Sequence, residues 1–503
     1  MSRSSQGQHS EEERELKFIP PPGFDLVAAL GELGDELHTD ESRTQRQHAV
    51  YYDTADLRLA RAGASLRHRD DGWTVKLPGA SDVALVRTEL AVDGPAGDPP
   101  DDAVDLVHAL IRDAPLQLAA HLDTVRHRIQ LRDGDGALVA EAVDDTVTVH
   151  DGMCPDGEFR EIEVEFAPEV SSKVVARIAE QLQDAGAGRP EHLSKIARAL
   201  GPRALDAPDL VPPPKLDFAS TPTEVLRAAL ARSTARLLAH DPGVRRGGDD
   251  EDVHQARVAT RRMRSDLRTF RRVLDPEWDE SLRTELKWLG DTFGAVRDAD
   301  VLLARLEARI DDLVLADRAA GERVLDVLRD QRARARDELL VAMRSDRYVA
   351  LIERLLAASR AVPASTDGAD FELEVGDLAV KPWKKLRAAV QALGDDPPDP
   401  ELHQVRIRAK RARYAAEAVV PAVGDGPKRF ARAVAELQEV LGEHQDAVVA
   451  GAWLREHAPR HDGDAAFAAG ELAVIEAAAA QVSRDEWPDA WKRARRKALR
   501  RWM

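Results

Sequence analysis

Short segments in which apolar and polar residues alternate recur through the first 200 residues of the chain. Because side chains point alternately to the two faces of a strand, this period of two predicts half-buried β-strands. A run of Asp and Gly at 133–136 separates two of these segments and predicts a hairpin turn. The predicted strands cover residues 13–18, 64–69, 74–77, 85–92, 127–132, 138–143 and 158–166.

Three longer segments between the strands repeat their apolar residues at helical spacing. They cover 26–37, 103–111 and 174–182, and we expect them to form helices that cover the sheet. The first part of the chain is therefore predicted to be an α+β domain built on an antiparallel sheet.

The strand patterns stop at a proline-rich stretch over 201–217. Proline fixes φ and lacks a backbone donor, so neither a helix nor a central strand is expected there. Helical patterns rich in Ala, Leu, Arg and Glu follow and run to the end. We therefore predict a disordered tail over 1–10, a first domain over 11–200, a linker over 201–217 and an all-α domain over 218–503.

The helical part contains an internal duplication. The motif at 254–258, His-Gln-Ala-Arg-Val, recurs as His-Gln-Val-Arg-Ile at 403–407, and three basic residues follow each copy. Leu289-Gly290 and the downstream Asp298 likewise recur as Leu441-Gly442 and Asp446. This repetition predicts two pseudo-repeated helical bundles.

Composition narrows the possible partners and the compartment. The net charge is −18 and aromatic residues make up 4% of the chain, which disfavours a large nucleic-acid surface. Cys154 is the single cysteine, so an intrachain disulfide and a multi-cysteine metal site are excluded. The most apolar stretch, 465–482, is interrupted by Glu471 and Glu476. We expect a soluble cytoplasmic protein without a membrane partner, and the oligomeric state stays open.

The predicted strands carry charged faces that are grouped by sign. Glu13, Glu15 and Lys17 share one face of the first strand, and the glutamates of 161–165 share one face of the last. Arg67 and Arg69 form a cationic pair on another strand. Solvated faces of an open sheet are one explanation. The alternative is a closed barrel whose lumen binds a complex of a hard metal ion with a polyphosphate, because that ligand would neutralise both sets.

Six sequence motifs, found in a fixed order along the chain, match those of a known protein family. They are Glu-x-Glu-x-Lys at 13–17, Tyr-Tyr-Asp-Thr at 51–54, Leu-Arg-His-Arg at 66–69, Trp-Thr-Val-Lys at 73–76, Glu-Ile-Glu-Val-Glu at 161–165 and Ser-Lys at 194–195. Over roughly residues 11–200 the sequence resembles the CYTH domains, also called triphosphate tunnel metalloenzymes.

The resemblance implies an eight-stranded antiparallel tunnel that hydrolyses inorganic triphosphate, or thiamine triphosphate in some relatives, with Mg²⁺ or Mn²⁺. One branch cyclises ATP instead. It implies catalytic roles for Lys17, Lys76 and Lys195 and substrate binding by Arg67, Arg69, Arg87 and Arg126. The metal ligands would be Glu13, Glu15, Glu141, Asp144, Glu163 and Glu165.

Arginines of the first helical repeat form a stripe at spacings of three and four: Arg257, Arg261, Arg264, Arg268 and Arg272. Apolar residues occupy roughly the opposite side, so these arginines are not expected to be buried. Like charges on one helix face repel each other, and either a neighbouring acidic helix or a bound polyanion must offset the repulsion.

This part, roughly 218–503, resembles the CHAD domain, which follows CYTH domains in many bacterial proteins. The resemblance implies a basic cavity that binds inorganic polyphosphate, and a location near polyphosphate granules. Metal binding by the two histidines is the less favoured alternative. The cavity would be lined by His254, Arg257, Arg261, Arg264, His403, Arg406, Lys410 and Arg413.

Three functions are therefore compared. The first is an inorganic triphosphatase with a polyphosphate-binding module. The second is a non-catalytic polyphosphate-binding adaptor, and the third is an adenylate cyclase. The chain contains no Walker A loop and no G-x-S-x-G elbow, so metal-assisted hydrolysis without a covalent intermediate is the preferred mechanism.

Overall fold

The computed structural model describes residues 10–31, 37–40, 42–79, 85–152, 157–247, 249–365, 374–460 and 462–503. The chain divides into two compact units, Met1–Asp209 and Leu210–Met503. The tail predicted for 1–10 lies outside the described residues except for Ser10, which already belongs to the first strand.

The first unit is built on an antiparallel sheet of nine strands within the described ranges. These are β1 (Ser10–Phe18), β2 (Leu37–Thr39), β3 (Arg43–Asp53), β4 (Ser65–Arg69), β5 (Gly72–Pro78), β6 (Leu85–Val92), β7 (Gln117–Asp133), β8 (Leu138–Gly152) and β9 (Gly157–Phe166).

The pairing order closes eight of the strands into a ring. Neighbours follow the order β7, β3, β4, β5, β6, β1, β9 and β8, and β8 pairs back onto β7. The short β2 pairs with β7 beyond the end of β3, so it adds no position to the ring. The α+β antiparallel fold is therefore confirmed. A closed ring leaves no free edge and gives every strand an inner and an outer face.

All seven predicted strands are present, whereas β2 and β3 were missed. The start of β3 reads Arg-Thr-Gln-Arg-Gln-His, and all but one of these side chains are exposed. Its inward residues Gln45 and Gln47 are polar because they face the lumen, and its outward residues face water. Alternation of hydrophobicity is absent where both faces of a strand are wet, so the usual signal for a strand fails here.

The hairpin predicted at 133–136 joins β7 to β8. The carboxylate of Asp133 accepts hydrogen bonds from the backbone N–H groups of Asp135 at 3.0 Å and Ala137 at 2.9 Å. Gly136 has φ +83°, a value that favours glycine. The turn chemistry therefore fixes the register between these two long strands.

Short helices cover the ring: α1 (Leu26–Gly31), α2 (Arg58–Arg61), α3 (Asp101–Ile111), α4 (Ser172–Asp184) and α5 (Lys195–Leu200). The helices predicted at 103–111 and 174–182 are present. The helix predicted over 26–37 ends at Gly31, residues 32–36 lie outside the described ranges, and Leu37 belongs to β2. Apolar residues of α1 and α4 pack with the outer faces of β1 and β9.

The first part of the proline-rich stretch is held by the first unit. The Asp209 carboxylate pairs with Nη2 of Arg61 at 2.8 Å and with the guanidinium of Arg112. Arg61 also donates to the carbonyl of Ala207 at 2.7 Å. These contacts keep the linker up to Asp209 with the first unit, which ends there.

The long secondary-structure elements described in the second unit are all α-helices. Its α-helices are α6 (Pro222–Arg246), α7 (Asp250–Phe270), α8 (Pro276–Ile310), α9 (Arg318–Met343), α10 (Asp346–Arg360), α11 (Val380–Gln391), α12 (Asp399–Val423), α13 (Asp425–His457) and α14 (Gly463–Ala494). The duplicated motifs lie on α7 and α8 in the first copy and on α12 and α13 in the second.

Among the described residues one helix, α14, is long and apolar enough to cross a membrane by length and composition. Its buried residues, among them Leu472, pack in a core shared with α8, α9 and α13. Glu476 is fully buried and pairs with Arg305 at 2.6 Å and Arg309 at 3.3 Å. A core helix of this kind passes the same test, so the finding is weak evidence for a membrane span.

Candidate active site and candidate polyanion site

The inner faces of the ring enclose a cavity of about 350 Å³. Inward residues follow the period of two, since Lys17, Arg67 and Arg126 line the cavity while their sequence neighbours face outward or into the covering helices. Of the residues predicted from the sequence, those in the cavity wall are Glu15, Lys17, Arg67, Arg69, Lys76, Arg87, Arg126, Glu141, Glu163, Glu165 and Lys195.

Three carboxylates stand side by side on adjacent strands. Glu165 on β9 lies directly opposite Glu15 on β1 and directly opposite Glu141 on β8. Glu15 is 7% exposed, and its Oε1 has no hydrogen-bond partner. Burial raises the pKa of Glu165, and the charges of Glu15 and Glu141 raise it further. We call Glu15, Glu141 and Glu165 the carboxylate row.

A second acidic group lies nearby on β8 and β9. Asp145, Glu161 and Glu163 each place a carboxylate oxygen within 4.8 Å of the others. Burial raises the pKa of Glu161, which is 1% exposed and whose carboxylate oxygens accept no hydrogen bond. These three carboxylates form the acidic cluster, whose oxygen atoms suit a hard cation or a lysine.

Two lysines and an arginine are held by the acidic cluster. Lys17 pairs with Glu163, and Lys195 pairs with Asp145 and, at 3.3 Å, with Glu161. Although burial opposes the charge on Lys17, Glu15 and Glu163 raise its pKa above the ordinary value. Both ammonium groups are therefore charged at neutral pH.

Arg126 makes a bidentate pair with Asp145, at 2.9 Å from Nε and 2.7 Å from Nη2. The same Nη2 lies 3.1 Å from Glu163. The planar guanidinium thus connects two strands of the ring and fixes two carboxylates of the acidic cluster.

Further cations line the opposite wall. Lys76 pairs with Glu89 at 2.7 Å, and Arg67 approaches the same carboxylate at 3.4 Å. Nη1 of Arg87 lies 3.6 Å from Glu15. Arg67 and Lys195 lower the pKa of the buried Tyr51 hydroxyl, although burial opposes this shift. The lumen is therefore a set of facing positive and negative groups that is largely neutral within itself.

Two of the predicted metal ligands, Asp144 and Glu13, are not found among the described carboxylates that line the lumen. Asp144 points away from the lumen and pairs with Arg160, whose Nε donates to it at 2.7 Å. Its neighbour Asp145 faces inward because Glu141 does and side chains alternate along β8. The structure therefore places Asp144 outside the lumen, where it cannot join the carboxylate row around one metal ion. The backbone of Glu13 lies in β1 opposite Arg87, and its side chain is outside the described part.

The residues present fit a divalent ion. The carboxylate row supplies oxygen donors on three neighbouring strands, and Oε1 of Glu15 has no hydrogen-bond partner in the wall. Oxygen-only ligand sets of this kind suit Mg²⁺ or Mn²⁺.

Sequence reasoning missed four residues of this site: Tyr51, Glu89, Asp145 and Glu161. The parity of β8 identifies Asp145 once Glu141 is placed inside, and the parity of β9 groups Glu161 with Glu163. Glu89 shares a strand face with Arg87. Tyr51 belongs to the Tyr-Tyr-Asp-Thr motif, but its inward direction follows only from the position of β3, which the sequence did not predict.

In the helical unit, the duplication places an arginine over a helical glycine in both copies. A Cβ atom on Gly294 would lie 3.6 Å from Nε of Arg257, and one on Gly442 would lie 3.5 Å from Nη2 of Arg406. Gly294, and not Gly290 as the sequence repeat suggested, is therefore the counterpart of Gly442. Sequence comparison chose Gly290 because the preceding leucine matched, whereas Phe293 precedes the structural counterpart.

The same arginines face the repeated aspartates. Nη2 of Arg257 lies 2.9 Å from Asp298, and Nη2 of Arg406 lies 3.7 Å from Asp446. Nε of Arg406 and Nδ1 of His403 are buried without a hydrogen-bond partner. Buried polar atoms without partners are costly, and an anion could accept a hydrogen bond from Nε of Arg406.

Three cavities lie along α7 and α12, with volumes of about 670, 160 and 740 Å³. Arg261 and Tyr414 line the first two, and Arg268 and Arg411 line the last two, so each cavity shares lining residues with the next. We call them together the basic groove. His254 lines the first of them, as predicted.

The other predicted residues are divided. Arg264 and Lys410 line the small central cavity, whereas Arg413, in the first cavity, is held by Glu417 at 2.7 Å. Arg257, His403 and Arg406 are not among the residues that line these three cavities. Burial and the charges of Arg406, Arg261 and Arg257 lower the pKa of Lys410 to about 7.

The third cavity was not found from the sequence. It is lined by cations from several helices and by one acidic side chain, Asp377. The sequence stripe on α7 gave part of this wall, but α8, α11 and α12 contribute the rest, and only the fold brings them together. The cations are Arg268, Arg271, Arg272, Arg283, Lys381, Lys385, Arg408 and Arg411.

Family models match both units. The model of the CYTH domain matches residues 11–199, and the model of the CHAD domain matches residues 228–455.

The chain is also similar to individual known proteins. An uncharacterized protein of Mycobacterium tuberculosis is 31% identical over 513 residues, which cover 95% of each chain. Human thiamine-triphosphatase is 44% identical over 78 residues, 15% of this chain and 31% of that protein. The crystal structure of the CHAD domain from the plant Ricinus communis covers 55% of this chain and 96% of its own, with 26% identity and a TM-score of 0.43. The two family-model matches and the full-length Mycobacterium tuberculosis relative show that the chain belongs to the family of proteins in which a CYTH domain is followed by a CHAD domain.

Proposed function

We propose that the first unit hydrolyses inorganic triphosphate, or a closely related triphosphate, in its lumen with Mg²⁺ or Mn²⁺. The observation that carries this proposal is the carboxylate row facing a wall of lysines and arginines inside a cavity of about 350 Å³. A chain of three phosphates with its metal ion supplies both the negative charge for one wall and the positive charge for the other.

The cations of the wall would bind and orient the phosphates. Arg67, Lys76 and Arg87 lie beside carboxylates that a phosphate oxygen can replace. Lys17 and Lys195 stay charged because the acidic cluster surrounds them, and they can stabilise charge that develops on the leaving pyrophosphate.

The chemical step is attack of water on the terminal phosphorus. The new P–O bond forms as the bond to pyrophosphate breaks, and the proton lost by the water passes to a carboxylate of the lumen. The carboxylate row would hold the metal ion, which when bound neutralises charge on the phosphate oxygens. The closed ring limits access of bulk water and so strengthens these electrostatic contacts.

For the second unit, we propose that the basic groove binds inorganic polyphosphate. Its support is the density of cations along α7 and α12, where the walls of the groove carry many more basic than acidic side chains. Such binding would keep the cytoplasmic protein near polyphosphate. Scarce aromatic side chains in the groove make single-stranded nucleic acid a poor alternative.

The test of turnover is phosphate release from inorganic triphosphate, thiamine triphosphate, ATP and long-chain polyphosphate, with and without Mg²⁺ or Mn²⁺. Glu15→Gln should abolish metal-dependent release, whereas Asp144→Asn, on the outer side of β8, should keep it. Cyclic AMP formation from ATP would instead indicate a cyclase.

The test of the groove is binding of long-chain polyphosphate to Arg261→Gln beside Arg329→Gln. Both variants lose one positive charge. Arg329 lies outside the groove and pairs with Glu307 on α8 at 2.8 Å and Glu322 on α9 at 2.9 Å, so its variant is the control. If polyphosphate binds and no substrate is hydrolysed, the protein is the adaptor considered above. If Arg261→Gln binds as well as Arg329→Gln, the groove does not bind polyphosphate.

A further inference from the structure

Three histidines and an aspartate meet on the outside of the ring. His48 lies on β3, His121 and Asp123 on β7, and His150 on β8. The lumen residues Leu122 and Thr124 alternate with His121 and Asp123, so the four side chains face away from the lumen.

Strand register explains why they meet. His48 is directly opposite Asp123, and His121 is directly opposite His150. Because residues two apart on β7 share a face, the two cross-strand pairs are neighbours. The cluster is thus specified by the three most extensively paired strands of the ring rather than by a loop.

The contacts are close. Nδ1 of His48 lies 2.5 Å from Oδ1 of Asp123, and Nε2 of His150 lies 3.0 Å from Oδ2 of the same carboxylate. Donor atoms of His48, His121 and Asp123 all lie within 4.8 Å of one another. The rings of His121 and His150 are 6.1 Å apart. His150 joins this group of three through its contact with the Asp123 carboxylate.

The donor set decides which ion fits. Imidazole nitrogen with one carboxylate oxygen is a ligand set for Zn²⁺ and similar transition-metal ions, at bond lengths of about 2.0–2.2 Å. Mg²⁺ prefers oxygen ligands, which the lumen supplies. The side chains of His48 and His150 are 60% and 47% exposed, so an ion can reach them from solvent.

We propose that His48, His121, Asp123 and His150 form a binding site for a transition-metal ion of the Zn²⁺ class on the outer face of β3, β7 and β8. The site is separate from the lumen and does not depend on the proposed hydrolysis. A bound ion would connect three strands and stabilise the folded protein, since ligands that bind only the native state shift unfolding.

The experiment titrates the metal-free full chain with Co²⁺ in the presence of excess Mg²⁺, followed by displacement with Zn²⁺. Co²⁺ bound by imidazole in a four-coordinate site absorbs visible light strongly, whereas Co²⁺ held by oxygen donors alone absorbs weakly. We expect one strongly absorbing equivalent in the native protein. His121→Ala and His150→Ala should each weaken its binding roughly tenfold or more.

Two controls separate the possible outcomes. His127→Ala removes another outward histidine of β7, one that contacts Thr44 at 3.0 Å outside the cluster, and should leave the Co²⁺ signal unchanged. Glu15→Gln alters the lumen and should also leave it unchanged. The proposal is overturned if the cluster variants bind Co²⁺ as the native protein does, or if the signal is lost in Glu15→Gln instead. Zn²⁺ should raise the unfolding temperature of the native protein and of His127→Ala, but not of the cluster variants.

Discussion

Glu15 on β1 and Glu165 on β9 lie directly opposite each other, and both point into the lumen. Like charges in this arrangement are destabilising unless a cation lies between or beside them. Desolvation and the charges of Glu15 and Glu141 raise the pKa of Glu165, so the proposed metal site would be maintained there at the expense of stability.

Glu165→Gln should separate the effect of this carboxylate on activity from its effect on stability. We expect triphosphate hydrolysis to fall by about 100-fold or more, because a ligand of the metal–phosphate complex is lost. In metal-free buffer the variant should unfold at the same or a higher temperature than the native protein, because it removes a carboxylate whose ionised form the neighbouring Glu15 and Glu141 disfavour. Phosphate release and thermal unfolding are the measurements. Loss of activity together with a large drop in unfolding temperature would contradict this assignment.

The pH dependence of polyphosphate binding should report on Lys410. Burial and the nearby Arg406, Arg261 and Arg257 lower its pKa to about 7, and Asp446 opposes the shift only in part. A bound polyanion favours the charged form of Lys410, so the protein takes up a proton when polyphosphate binds above about pH 7. Affinity should therefore fall as the pH rises from about 7 to 9, by up to about tenfold per pH unit, and level off below about 6.

Lys410→Arg tests this directly, because arginine stays charged throughout this range. Its affinity should depend less on pH than that of the native protein at constant salt. Lys428→Arg changes an exposed lysine of α13 in the same way and should retain the native pH dependence. Equal pH dependence in all three proteins would exclude Lys410 as the titrating group.

The glycine under Arg257 tests the corrected repeat. A Cβ on Gly294 meets Arg257 at 3.6 Å, an ordinary contact, so Gly294→Ala should stabilise the helix by about 0.5–1 kcal/mol and leave polyphosphate affinity unchanged. Gly294→Leu should displace the Arg257 guanidinium, whose charge acts on Arg261 and Lys410 of the groove, and so weaken binding. Gly470→Leu, where an added Cβ meets nothing within 4 Å, is the matched control. Urea unfolding and polyphosphate titration measure both effects, and weaker binding by Gly294→Ala would disprove this account.

Asp53 should be required for folding of the first unit rather than for turnover. Its buried carboxylate accepts backbone hydrogen bonds from Thr54 at 2.7 Å, Leu59 at 2.9 Å and Ala60 at 2.9 Å. Asp53→Ala leaves these donors unsatisfied and should cost about 2–4 kcal/mol in the free energy of unfolding. Asp56→Ala removes a half-exposed carboxylate of the same turn and should cost less than about 1 kcal/mol. Comparable losses in urea unfolding for the two variants would refute the role of Asp53.

The sequence predicted most of the ring because its strands bury one face, and it missed the three-residue β2 and also β3, whose first half is wet on both faces. Family resemblance named Glu15, Arg67 and Lys195, which lie in the lumen, but it also named Asp144, which the parity of β8 turns away from the lumen. The outer histidine cluster was out of reach, since its residues lie on three strands, one of them unrecognised, and only register brings them together.

The balance of charge in the lumen has a thermodynamic consequence. Its lysines and arginines are already paired with its carboxylates, so each phosphate that binds must release a carboxylate from a cation. The released carboxylates then need a positive partner, which a divalent ion provides. Under the proposed function, metal ion and triphosphate would therefore increase each other's affinity by the same factor, and neither alone would bind as tightly as the two together.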